Sequence, residues 1–115
     1  LCNHINNKVD IPDNFADSII KREKLGSTDF GQFVALAHPF GITTSTTFAS
    51  VAILDKPIFW GNHNIQIIIL ISISEEEINL DNFFNRTSIF MLDRVKPKKL
   101  INNPTYDNLI SLLRE

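Results

Sequence analysis

"IQIIILISI", residues 65–73, decides the fold. A run so apolar and so rich in β-branched side chains reads as a strand buried on both faces. Such a strand sits at the centre of a sheet, with helices above and below it. The run is about half the ~20 residues a membrane-spanning helix needs. Working outward, "DKPIFWGNHN" (55–64) is predicted as a turn or hairpin region punctuated by Pro57 and Gly61. "TTFASVAIL" (46–54) is a second strand by its β-branched content. "FVALAH" (33–38) is a short buried strand ended by Pro39. "PDNFADSIIKREKLG" (12–26) is predicted as a helix, with Asp13 as cap, Phe15, Ile19 and Ile20 on one face and Gly26 as the stop.

On the other side of the central run, "SEEEINLDNFFNRTSIFMLD" (74–93) places Leu80, Phe83, Phe84, Thr87 and Met91 at helical spacing. Its glutamates fall at the N-terminal end, where the helix dipole favours them. "VKPKKLI" (95–101) is predicted as a connector. "NPTYDNLISLLRE" (103–115) opens on a capping threonine and continues as an amphipathic helix through Leu109, Leu112 and Leu113. The expected fold is a single α/β domain, a central mixed sheet flanked by helices, in the order helix, strand, strand, strand, helix, helix.

Composition narrows the function classes. The chain has 115 residues, enough for one domain with a modest core, and a formal net charge of −2. That balance argues against a duplex-binding module, which carries a basic stripe. The single cysteine, Cys2, forms no internal disulfide and fits a reducing cytoplasm. The sequon Asn85-Arg86-Thr87 reads as an unmodified surface motif. A first residue of Leu rather than Met reads as the start of a piece of something longer.

The candidate chemistry rests on three histidines. His4 lies in the polar start and His63 in the turn region, and both read as surface residues. No spacing of His, Cys, Asp and Glu suggests a metal site, and there is no Gly-rich phosphate loop and no G-x-S-x-G elbow. No cofactor is expected. His38 differs. It ends a buried strand, where the loops of α/β sheets build their sites. Pro39 restricts the backbone of His38 and so holds the imidazole. A neutral imidazole is a competent nucleophile. The plain alternative is a core histidine at a strand end.

Four stretches carry a family resemblance: "IIKREKLGSTDFG" (19–31), "VALAHPF" (34–40), "FASVAILDKPIFWGNHNIQIIILISI" (48–73) and "TYDNLISLLRE" (105–115). In this order and at these separations they resemble the enzyme IIA domain, mannitol/fructose type, of the bacterial phosphoenolpyruvate:sugar phosphotransferase system. The likeness runs from about Phe15 onward. It implies that His38 accepts a phosphoryl group from the phosphocarrier protein HPr. It also implies that Arg22 faces the phosphorylated ring, since a guanidinium meets two oxygens of a phosphoryl group at once. Glu23 is then structural, orienting Arg22. Thr28 and Thr44 are further candidates, donating to the phosphate or to the loop backbone. By their position in loop segments flanking His38, Phe30, Phe40 and Ile42 either form an apolar rim for HPr or pack in the core.

The sequence departs from the family pattern in three places. Ala37 stands where a proline commonly precedes the histidine. About one family helix is missing at the start. Sugar-transport members carry a second histidine on the helix after the central strand, whereas "NLDNFFNRTS" (79–88) has none, with Phe83 and Phe84 in that region. These departures favour the regulatory version of the domain, found in transcriptional activators and antiterminators with PTS-regulation domains. There, nucleic acid is contacted only through other domains of the parent protein, and the setting is cytoplasmic, with no membrane contact. The alternatives are a transport carrier that passes phosphate to an enzyme IIB and a sugar, and an interaction module that no longer takes phosphate.

Overall fold

The computed structural model describes residues 13–25, 33–38, 47–60, 63–74 and 81–114. Along the chain these form α1 (Phe15–Leu25), β1 (Val34–Ala37), β2 (Phe48–Trp60), β3 (His63–Ser72), α2 (Asp81–Leu92), α3 (Lys96–Asn102) and α4 (Tyr106–Arg114). The sheet order is β1-β3-β2. β1 runs parallel to β3, with Val34 opposite Ile67 and Ala37 opposite Leu70. β2 runs antiparallel to β3, from Phe48 opposite Ser72 to Trp60 opposite His63. The expected mixed sheet with the apolar run at its centre is therefore present.

The period of two along β3 sorts its side chains onto two faces. Ile67, Ile69 and Ile71 join Val34, Phe90, Met91, Leu100 and Leu112 in one buried cluster, beneath α2, α3 and α4. Leu70 joins Phe15 and Ala37 in a second cluster, beneath α1, with Ile19, Phe48 and Ile68 packed on it. Helices cover both faces of β3, as its near-continuous hydrophobicity requires.

α1 starts one residue later than its sequence suggests. The Asn14 carbonyl accepts the first helical bond, from Ser18 N–H at 3.0 Å, so the cap falls on Asn14 rather than Asp13. Phe15 and Ser18 are buried, whereas Ile20 is 54% exposed. At 3.6 residues per turn, Phe15, Ser18, Ile19 and Arg22 share an arc of about 100°, and Ile20 lies about 140° from Phe15. The inward stripe thus contains Arg22 and excludes Ile20.

Two further expectations are corrected. Residues 55–60 continue β2, and β3 begins at His63, so the turn region is much shorter than the sequence suggests. Between the pairs Ile53–Ile67 and Ile58–Ile65, residues 54–57 of β2 face the single residue Gln66. Pro57 has no N–H to give to a ladder, which suits it to such a bulge. The Gln66 amide donates to the carbonyls of Leu54 at 2.8 Å and Asp55 at 3.4 Å, so the irregular backbone keeps its partners.

The other correction is α3, predicted as a connector. Asp93 Oδ1 accepts from the Val95 N–H at 2.7 Å and the Lys96 N–H at 2.9 Å, which satisfies two donors at the helix start. Pro97 falls in the first turn, where its missing N–H costs nothing. Pro97 and Leu100 are buried. The predicted cap of α4 is present: Thr105 Oγ1 accepts from Asn108 N–H at 3.1 Å. Thr87 of the sequon is buried in α2 rather than displayed. Among the described residues, no helix is long and apolar enough to cross a membrane.

Candidate functional site

β1 delivers the site. Phe33, just before it, has φ 68°, a left-handed conformation that costs a bulky residue about 1–3 kcal/mol. Its carbonyl accepts from both Gln66 N–H and Ile67 N–H at 2.9 Å, which ties the strand entry to β3 despite that cost. Lys98 Nζ lies 5.7 Å from the centre of the Phe33 ring. Four residues on, Ala37 ends the strand against Leu70, and His38 is the first residue beyond it.

α1 brings the partner. Phe15 is fully buried and sits 5.9 Å, centroid to centroid, from Phe48. Seven residues later on the same stripe, the Arg22 Nε–H donates to His38 Nε2 at 3.0 Å. Both side chains are half-buried. Arginine keeps its protons, so Nε2 supplies the lone pair, and the neutral ring then carries its proton on Nδ1. Nδ1 is buried and, among the described residues, has no hydrogen-bond partner. The two nitrogens are thus unequal: Nδ1 is enclosed, and Nε2 faces a fixed cation.

Sequence reasoning paired Arg22 with His38, and the fold brings these two together. It passed over Trp60, whose indole N–H donates to Glu23 Oε1. The available signal was chemical: a half-buried tryptophan needs an acceptor for its N–H, and Glu23 stands beside Arg22 in the sequence. Beside this contact, Ile19, Ile20, Glu23 and Trp60 line an open cleft of about 340 Å³. His63 is exposed on β3, as expected of a surface histidine. His4, Thr28, Thr44, Phe30, Phe40 and Ile42 lie outside the described residues. Among the described residues, no three His, Cys, Asp or Glu side chains gather as a metal site would require.

The fold is an α/β sheet with a histidine at a strand exit, one of whose ring nitrogens accepts from an arginine on the preceding helix. The chain belongs to the family described as "Phosphoenolpyruvate-dependent sugar phosphotransferase system, EIIA 2", whose model matches residues 1–115. Among curated proteins it is similar to the probable licABCH operon regulator of Bacillus subtilis, with 33% identity over 94 residues, 81% of this chain and 15% of that protein. It is also similar to the transcriptional regulator ManR of the same organism, with 23% identity over 64 residues, 56% of this chain and 10% of that protein. The chain therefore spans well under a fifth of the length of these relatives. Among solved structures it resembles the crystal structure of IIA mannitol from Escherichia coli. The TM-score is 0.73 at 16% identity, over 95% of this chain and 79% of that one, a likeness of fold.

Proposed function

We propose that this domain accepts a phosphoryl group from HPr on Nε2 of His38 and serves as a regulatory module of a larger transcriptional activator or antiterminator. The observation that carries the first part is the 3.0 Å contact between Arg22 Nε and His38 Nε2, with Nδ1 buried on the other side of the ring. In the step itself, the Nε2 lone pair forms the new N–P bond as the bond from phosphorus to the donor breaks. Arg22 must first release Nε2. Its N–H groups then face the phosphoryl oxygens, where negative charge is concentrated throughout the transfer. The ring becomes cationic when the bond forms, keeping its proton on Nδ1, and that charge is offset by the phosphoryl oxygens on Nε2.

The regulatory part draws support from the two B. subtilis relatives, both regulators and both far longer than this chain. In keeping with it, residues 79–88 contain no histidine that would assist an onward transfer. On this reading the protein works in the cytoplasm, and any nucleic acid is bound by other domains of the parent protein. Phosphorylation then reports carbohydrate flux by changing the charge at one strand exit.

Incubation with phosphoenolpyruvate, enzyme I and HPr, followed by an intact-mass measurement, tests the acceptor. The wild type should gain one acid-labile phosphoryl group, His63→Ala should keep it and His38→Ala should lose it. Labelling of His38→Ala would refute the assignment. A chase of the phosphorylated domain with mannitol- and fructose-type enzyme IIB domains separates regulation from transport. Persistence of the phosphate is expected, and rapid loss with sugar phosphorylation would make the domain a transport carrier.

A further inference from the structure

Among the described residues, apolar packing holds the first turns of α1. Phe15 is buried against Phe48, and Ile19 packs on the cluster of Phe15, Ala37 and Leu70. One turn further on, the space between α1 and the end of β2 is the open cleft of about 340 Å³ lined by Ile19, Ile20, Glu23 and Trp60. Polar contacts join this part of α1 to the sheet on two sides, Arg22 to His38 beyond β1 and Glu23 to Trp60 at the end of β2.

These contacts grip distant parts of the sheet. His38 follows Ala37, which stands opposite Leu70, whereas Trp60 stands opposite His63. A rise of about 3.3 Å per residue puts about 23 Å of β3 between those two registers. Neighbouring residues on one helical turn are thus tied to opposite ends of the central strand. A helix end held in this way cannot swing or roll without losing one of its ties. The Trp60 indole is a directional donor, and the Glu23 carboxylate makes the bond charge-assisted.

We propose that Glu23 and Trp60 form a positioning clasp that holds the last turn of α1 so that the Arg22 guanidinium stands at His38 Nε2. The proposal rests on the reading of His38 and Arg22 as the phosphoryl-accepting pair, and it makes Glu23 and Trp60 positioning residues for that step. Neither touches the reacting atoms. Their effect comes through the placement of Arg22, and a misplacement of about 1 Å in such a site can lower a rate by up to about 10²-fold.

The test reads Arg22 directly in the 15N-labelled full chain, without any phosphoryl donor. The Arg22 Nε–H resonance is assigned by its absence from Arg22→Lys, and its exchange with water is measured together with the nitrogen shift of His38 Nε2. In Trp60→Phe, which keeps an aromatic ring and loses the N–H, the Arg22 proton should exchange faster. The His38 Nε2 shift should move toward its value in Arg22→Lys, and the backbone amides of β3 should stay protected. Glu23→Gln keeps an acceptor oxygen and should retain most of the protection that Glu23→Ala loses. Phosphorylation by phosphorylated HPr should slow by about tenfold or more in Trp60→Phe and Glu23→Ala. Should Trp60→Phe fail to fold, Glu23→Ala asks the same question from the helix side. Unchanged Arg22 exchange and an unchanged His38 shift in the folded variant would overturn the clasp, as would equal loss in Glu23→Gln and Glu23→Ala. Because the spectroscopic readouts need no transfer, failure of the wild type to take phosphate would count against the acceptor reading and leave the clasp tested by itself.

Discussion

Replacing Arg22 with alanine separates chemistry from folding, because the two effects differ in size. The variant loses the Nε–H that stands 3.0 Å from His38 Nε2. In the resting domain this is one hydrogen bond between half-buried groups, with a net contribution of about 0.5–1.5 kcal/mol. A chain of this length is expected to have a stability of roughly 6–17 kcal/mol, at about 0.05–0.15 kcal/mol per residue. The fold should therefore survive. In the transfer step the same residue faces a group carrying spread negative charge, and losing one preorganised donor of that kind costs about 10²–10³ in rate, or about 2.7–4 kcal/mol. Arg22→Lys restores the charge without the planar fork and should recover only part of the loss. The assay is single-turnover phosphorylation by excess phosphorylated HPr, quenched in base to preserve phosphohistidine and read by intact mass, with thermal unfolding alongside. A wild-type rate in folded Arg22→Ala would refute the reasoning and return Arg22 to a structural role at the end of α1.

Three other outcomes follow from the packing. Gln66→Leu removes the donor to the Leu54 and Asp55 carbonyls in the β2 bulge, and urea unfolding should show a loss of about 1 kcal/mol; an unchanged midpoint would mean that solvent serves those carbonyls equally well. Asp93→Ala should lower the melting temperature at neutral pH, because the backbone N–H groups of Lys96 and then Val95 hold the Asp93 carboxyl below the ordinary aspartate range. The folded value is the lower one, so the stabilisation is complete above the ordinary aspartate value and is lost as pH falls through the folded value; the two melting curves should converge in strong acid, and a difference that persists there would refute the cap. Hydrogen exchange with and without phosphate on His38 should change most in α1 and least in α2–α4; a larger change in α3 would contradict the assignment of His38 and Arg22 to the face that α1 covers.

The central strand was legible because a strand covered on both faces cannot hide its apolar character, and Ile67, Ile69 and Ile71 alternate with Ile68 and Leu70 between two clusters. α3 was not legible because Pro97 breaks helices in their interior and opens them in the first turn, and only the bonds from Asp93 distinguish the two cases. The extent of β2 was hidden by the same ambiguity at Pro57, which marks a bulge rather than a turn. The strand-exit position of His38 was readable from the residues themselves. Its pairing with Arg22 came from the family likeness, because residues 16 positions apart on different elements leave no periodic trace. The Trp60–Glu23 contact, spanning 37 positions, lies further still beyond any local pattern.

The unequal covering of the two sheet faces bears on how a charge change at His38 would be felt. Three helices and the larger cluster lie on one face, and dense packing there resists small displacements. Among the described residues, the other face carries α1 on Phe15 and Ile19, with an open cleft beside Glu23 and Trp60. A phosphoryl group on Nε2 occupies the place where the Arg22 Nε–H now donates, so Arg22 must move. Moving it strains the tie between Glu23, the next residue of α1, and Trp60. If His38 takes a phosphoryl group, as proposed, the displacement would be felt at the Glu23–Trp60 contact before it reached the core beneath α2–α4. A packed core joined to a helix whose end is tied by polar contacts suits a domain that must report phosphorylation to a neighbour without unfolding.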